Sequence, residues 1–129
     1  PEKMMKTAIS LAAVLLAATA GAALADGDAA KGEKVFNKCK ACHVAVSETN
    51  RVGPHLKGII GRPVASVADY KYSDSMKEFA TTHPTWDDAT FLEYITDPKK
   101  DVPKTKMSFP GLKKEDDRND LLAYLKTKM

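Results

Sequence analysis

This chain of 129 residues has little cysteine, two residues, and little histidine, three. Two thiols cannot build the multi-bridge framework of a small disulfide-rich domain. A large excess of one charge is also missing: 20 Lys and Arg stand against 17 Asp and Glu, a formal net charge of +3, and nothing suggests a nucleic-acid partner. Alternating apolar and polar runs, which would mark strands, are absent, as are internal repeats and low-complexity segments within 26–129. What remains is the signature of one small helical domain.

A long hydrophobic run occurs once, at the start. In MMKTAISLAAVLLAATAGAALA, positions 4–25, Lys6 is followed by uncharged residues from Thr7 to Ala25, and the run ends in Ala-Leu-Ala. That is the pattern of a secretory signal peptide cut after Ala25, with residues 1–3 as an extra leader. The competing reading is a retained membrane anchor, since the run is nominally long enough to span a bilayer. Its richness in alanine and its small-residue end favour cleavage, so the expected division is 1–25 signal peptide and 26–129 a single domain.

Helix signals cluster at both ends of that domain and after its middle. Asp28 is placed to cap AAKGEKVFNKCK, positions 29–40, which carries Ala29, Gly32, Val35 and Phe36 on one face. Thr85 precedes WDDATFLEYIT, with acidic residues early, Phe91, Leu92 and Ile95 as an apolar stripe, and Asp97-Pro98 as a stop. The last helix, within KEDDRNDLLAYLKTK, starts acidic, ends basic, and presents Leu121, Leu122, Tyr124 and Leu125. Ser73 predicts a short helix through DSMKEFA. Between them, 44–71 has glycines and prolines around VGPHLKGIIGRP and no period. Ordering so long a segment is entropically costly. Its hydrophobic residues are too few to offset that cost by packing on polypeptide alone, so it is either mobile or wrapped on a large apolar body that is not protein.

Both cysteines lie in NKCKACHVAV, where Cys39, Cys42 and His43 form C-x-x-C-H. This is the signal for covalent attachment of a c-type haem. Positions i, i+3 and i+4 share one side of a helical turn, so two thiols can bond the two vinyl groups while the imidazole faces the iron. A disulfide or thioredoxin-like redox pair has the same spacing but needs βαβ signals that are absent, and a zinc site needs more ligands than His55 and His83 supply. Haem is also the apolar body that 44–71 lacks.

Whether the sixth position is filled separates an electron carrier from a ligand-binding haem protein. The candidates are Met76, Met107, Met129, His55 and His83, with lysines as outsiders. Met107, in the irregular loop DVPKTKMSFPGL, is favoured. Met76 sits on a helical pattern and reads as core, Met129 is the last residue, and His55 follows His43 closely in sequence.

These segments together resemble a class I c-type cytochrome of the bacterial cytochrome c2 and mitochondrial cytochrome c type. GEKVFNKCKACH, VGPHLKGIIGRP, YKYSD, TWDDATFLEYITDPKK, VPKTKMSFPGLK and DLLAYLK carry the resemblance over essentially all of 28–128. It implies an all-α fold of three main helices, a short helix and long loops wrapped round one covalent haem c, with the first and last helices crossing. Gly32 and Phe36 would then pack against Leu121 and Tyr124. It also implies His43 and Met107 as axial ligands and the Pro54 carbonyl as acceptor of the His43 ring N–H. Tyr94 would approach the methionine sulfur, and Arg62, Tyr72, Trp86 and Thr105 would surround the propionates.

The sequence departs from the family pattern in four places. His55 replaces asparagine in Gly-Pro-Asn-Leu; Met76 falls where many relatives have an asparagine in a buried water network; Lys104 replaces a common glycine; and the loop after His43 is slightly short. The resemblance implies a periplasmic, monomeric one-electron carrier and not an enzyme. Its donor would be a cytochrome bc1-type complex and its acceptor a terminal oxidase or photosynthetic reaction centre. Lys38, Lys40, Lys57, Lys99, Lys100, Lys104, Lys106 and Lys113 would form the docking rim. The alternatives are a haem peroxidase or ligand sensor with an open sixth position, a haem-free thiol or zinc module, and a membrane-tethered carrier if the leader is retained.

Overall fold

The computed structural model describes residues 27–129, so the expected signal segment 1–25 lies outside the described residues. No helix among the described residues is long and apolar enough to cross a membrane. Asp28 caps the first helix, α1 (Ala29–Phe36), its carboxylate accepting from the N–H groups of Ala30 at 2.8 Å and Lys31 at 3.2 Å. The helix is shorter than its sequence pattern suggests. Past Phe36 there is no further apolar face, and the backbone tightens into turns, with Lys38 N–H bonded to Val35 O and Cys39 N–H to Phe36 O.

Ser73 caps α2 (Asp74–Thr82) by accepting from Met76 N–H at 3.1 Å, and the helix runs slightly beyond its expected end. In α3 (Asp88–Thr96) the cap is Asp87, which accepts from Thr90 N–H at 2.7 Å, so the helix starts later than a start at Thr85 predicts. The cause is tertiary. Thr85 pairs with Pro63 in an isolated antiparallel bridge, Trp86 N–H donates to Arg62 O at 2.9 Å, and Gly61 N–H donates to Trp86 O at 2.7 Å. Those bonds hold the backbone extended up to the cap.

Asp97-Pro98 ends α3 as expected, but Pro98 also opens a one-turn helix, α4 (Pro98–Asp101), that the sequence reading did not separate. Proline suits a first helical position because it has no N–H to leave unsatisfied. The last helix, α5 (Glu115–Lys126), has three acidic residues in its first turn and Lys126 in its last, matching the helix dipole.

The first and last helices pack together as the resemblance implies. A Cβ on Gly32 would strike the Asp120 carbonyl of α5 and Tyr124 Cβ, and the Phe36 and Tyr124 rings lie 5.4 Å apart. Only glycine lets the two backbones approach so closely. Lys126 ties α5 to α3 through Asp88 at 2.6 Å. In the long middle segment Ala45, Ile59, Ile60, Val64 and Val67 are buried, whereas Val46 and Val52 are 67% and 74% exposed. Burial of all its hydrophobic residues is therefore not what organises this segment.

Candidate cofactor site

The long segment, α2, α3, α5 and the loop after α4 enclose a cavity of about 380 Å³. Cys39, Cys42, His43, Pro54, Arg62, Tyr72, Trp86, Tyr94, Thr105 and Met107 all line it. The fold thus brings every expected site residue to one place.

The two thiols reach it through local backbone geometry. Cys42 N–H donates to Cys39 O at 3.1 Å and His43 N–H to the same carbonyl at 2.9 Å, closing a single helical turn after α1 has ended. Both cysteines are free. Burial is the main cause that pushes the Cys39 thiol up to about 11, against the opposing influence of Lys38.

His43 Nδ1 lies 2.7 Å from Pro54 O. That bond fixes the tautomer with its proton on Nδ1 and leaves Nε2 as the free donor atom. Burial lowers the imidazole's proton affinity, the Pro54 bond partly offsets this, and the Arg62 charge lowers it further. A neutral imidazole is the form that ligates metal. Gly53 is a site residue that the sequence reading did not single out: a Cβ there would run into the His43 ring. Its signal was present in the Gly-Pro pair, but the reason for it is visible only in three dimensions.

Of the five candidate sixth ligands, Met107 and Met76 line the cavity; His55, His83 and Met129 do not. His83 instead stacks on Phe79 at 4.2 Å and pairs with Glu93 at 3.3 Å, and Met129 is 71% exposed. Met76 is part of the wall on α2. Met107 is distinguished by its fixing: its N–H donates to Thr105 Oγ1 at 3.1 Å, and the Tyr94 hydroxyl donates to its sulfur at 3.8 Å. Burial pushes Tyr94 up to about 12, so the hydroxyl stays a donor at physiological pH.

The remaining residues line other parts of the cavity wall. Tyr72 accepts from Val67 N–H at 3.1 Å. Tyr70, a further lining residue, lies edge-on to Tyr72 at 5.0 Å and donates to Val52 O at 2.9 Å. Trp86 is buried, 5.0 Å from the Tyr94 ring. Arg62 turns Nη1 to His55 O at 3.0 Å and Lys57 O at 3.3 Å, while its buried Nε has no partner among the described residues.

A helical shell round an apolar cavity, with two thiols and an imidazole on one turn and a thioether on the same cavity, defines a class I c-type cytochrome. The chain belongs to the Cytochrome c family, whose sequence profile matches residues 29–128. It is 53% identical over 115 residues to cytochrome c-554 of Methylosinus trichosporium, covering 88% of this chain and 85% of that one. It is 49% identical over 100 residues to cytochrome c2 of Rhodoblastus acidophilus, covering 77% and 91%. Among solved structures, cytochrome cH from Methylobacterium extorquens superposes with a TM-score of 0.72 at 50% identity, covering 79% of this chain and all of that one.

Family membership makes the chain an electron carrier and not an enzyme, with one covalently bound haem c. The donor set fits that group. Thiols suit thioether attachment, neutral imidazole and thioether sulfur suit iron, and the unpartnered Arg62 Nε suits an acidic substituent at the edge of an apolar macrocycle.

Proposed function

We propose that this protein is a periplasmic one-electron shuttle in which Cys39 and Cys42 anchor the haem and His43 and Met107 are its axial ligands. The observation that carries the reading is the paired fixing of two donor atoms on one cavity, His43 by Pro54 O and Met107 by the Tyr94 hydroxyl. When bound, the haem supplies an iron that cycles between ferric and ferrous. The chain holds both donors in nearly constant geometry, so little reorganisation accompanies the electron. It surrounds them with apolar side chains that disfavour the more highly charged oxidised state, and Tyr94 keeps its own proton while its hydroxyl donates to the methionine sulfur. Arg62, Tyr72, Trp86 and Thr105 hold the propionate edge.

Lys38, Lys40, Lys57, Lys99, Lys100, Lys104, Lys106 and Lys113 are all exposed, and Lys38 and Lys106 lie at the cavity itself. This supports docking of the monomer onto acidic surfaces of a cytochrome bc1-type donor and of a terminal oxidase or photosynthetic reaction centre. The bacterial relatives and the pattern of residues 1–25 support export with removal of the leader. Carbon monoxide tests the reading. A carrier with Met107 on the iron leaves the ferrous protein unreactive on mixing; rapid formation of a carbonyl adduct assigns an open sixth position and the peroxidase or sensor class.

A further inference from the structure

The contact between His55 and Arg62 has no part in ligation or attachment, yet it joins a titratable ring to a partly buried cation on the cavity wall. Arg62 Nη1 lies 3.4 Å from His55 Nδ1, in addition to its bonds to the carbonyls of residues 55 and 57. His55 does not line the cavity but touches Arg62, which does. The ring belongs to a segment held from the other side: Asn50 Oδ1 accepts from His55 N–H at 2.9 Å, and Asn50 Nδ2 donates to Asp69 Oδ1 at 3.0 Å. Arg62 itself is fixed by the backbone pairing of 61–64 with 84–86. The two side chains therefore meet between two anchored stretches of backbone.

We propose that His55 is a positioning residue for Arg62 and couples the carrier's midpoint potential to pH. The inference rests on the haem reading of the cavity. Neutral His55, with its proton on Nε2, shares the two Nη1 hydrogens of Arg62 with the carbonyls of residues 55 and 57 and steadies the guanidinium. Protonated His55 has no acceptor to offer and sets a second cation beside the first. Positive charge added at the cavity wall favours the reduced state, which carries one positive charge fewer. Reduction by the donor's electron is accompanied by partial uptake of a solvent proton on His55, and by linkage the ring holds that proton more tightly in the reduced protein. The charged groups at this contact are Arg62 and, behind Asn50, Asp69; Lys57 meets Arg62 only through its backbone carbonyl, and Tyr72 and His43 are the titratable neighbours on the Arg62 side.

The test is a redox titration of the haem-loaded protein at a series of pH values from about 5 to 8, the window in which histidines change charge. It is run on the natural protein, His55→Asn and His83→Asn, with NMR titration of the His55 ring in both oxidation states. The natural protein and His83→Asn are expected to show a midpoint potential that rises as pH falls. His55→Asn is expected to lose that slope, and the His55 ring is expected to titrate at higher pH in the reduced protein. A slope that survives in His55→Asn, a flat natural protein, or one ring titration common to both states overturns the proposal. The ferric methionine-to-iron absorption band, recorded on the same samples, separates the two readings. With the band present, these failures count against His55 alone; its absence from the natural protein overturns the ligation reading and this inference with it.

Discussion

Tyr94 and Lys104 show how single residues shape the site from outside the haem-binding motif. The Tyr94 hydroxyl donates to Met107 sulfur and, with burial pushing it up to about 12, keeps its proton at physiological pH. With Met107 on the iron as proposed, donation withdraws electron density from the sulfur and disfavours the ferric state. Tyr94→Phe is therefore expected to lower the midpoint potential by a few tens of millivolts, from a net hydrogen bond of roughly 0.5–1.5 kcal/mol and about 59 mV per tenfold change for one electron. A redox titration reads this, and an unchanged or higher potential contradicts it. Lys104 has φ +59°, in the left-handed region. That conformation costs a side-chain-bearing residue about 1–2 kcal/mol, of which glycine's greater unfolded freedom returns about half. Lys104→Gly is expected to stabilise the protein by about 0.5–1 kcal/mol in denaturant unfolding; a loss of stability contradicts the strain. The departure at Lys104 was legible in the sequence, but its physical meaning needed the backbone angle. The same holds for Gly53, whose reason is the His43 ring.

The sequence carries helices well where their stabilisation is local and less well where tertiary bonds intervene. Asp28 and Ser73 cap as their positions suggest, because a short oxygen-bearing side chain needs only its own next turn. The start of α3 was displaced because Thr85 and Trp86 are committed to 61–64, a partnership between distant segments that no local pattern announces. Asp101 gives α4 its own test. The side chain is partly buried and its Oδ2 is enclosed without a partner among the described residues. Burial holds its carboxyl above the usual range; Glu93 and Asp97 push the same way, and His83 and Lys100 oppose them. A raised folded-state value means that the proton binds the folded protein more tightly. The stabilising contribution is then complete below the ordinary carboxylate value and is lost as pH rises through the folded one. Asp101→Asn is accordingly expected to melt higher than the natural protein at pH 7 and to lose that advantage as pH falls toward about 3. An advantage equal at both pH values contradicts a titrating origin.

Over the whole molecule, a nearly neutral total combines many exposed lysines, two of which, Lys38 and Lys106, lie at the cavity, with an acidic first turn on α5. If the lysines dock acidic partners, the bimolecular rate of electron transfer falls steeply with added salt, since exposed charges are screened beyond about 10 Å at 0.1 M. A stopped-flow rate that does not change with ionic strength contradicts docking by charge. The covalent motif and the helical class were legible because they are short-range in sequence. The proposed second donor was harder to read: Met107 lies far along the chain from His43, and Met76 reaches the same cavity. Only the closed fold distinguishes the methionine fixed by Tyr94 and Thr105 from the one that fills wall space. The most direct measurement of the central claim is the optical spectrum of haem-loaded Met107→Ala in both oxidation states, with carbon monoxide added to the ferrous form. The account predicts loss of the ferric methionine-to-iron band and rapid formation of a carbonyl adduct. A variant that keeps the band and ignores carbon monoxide would show that another residue holds the sixth position.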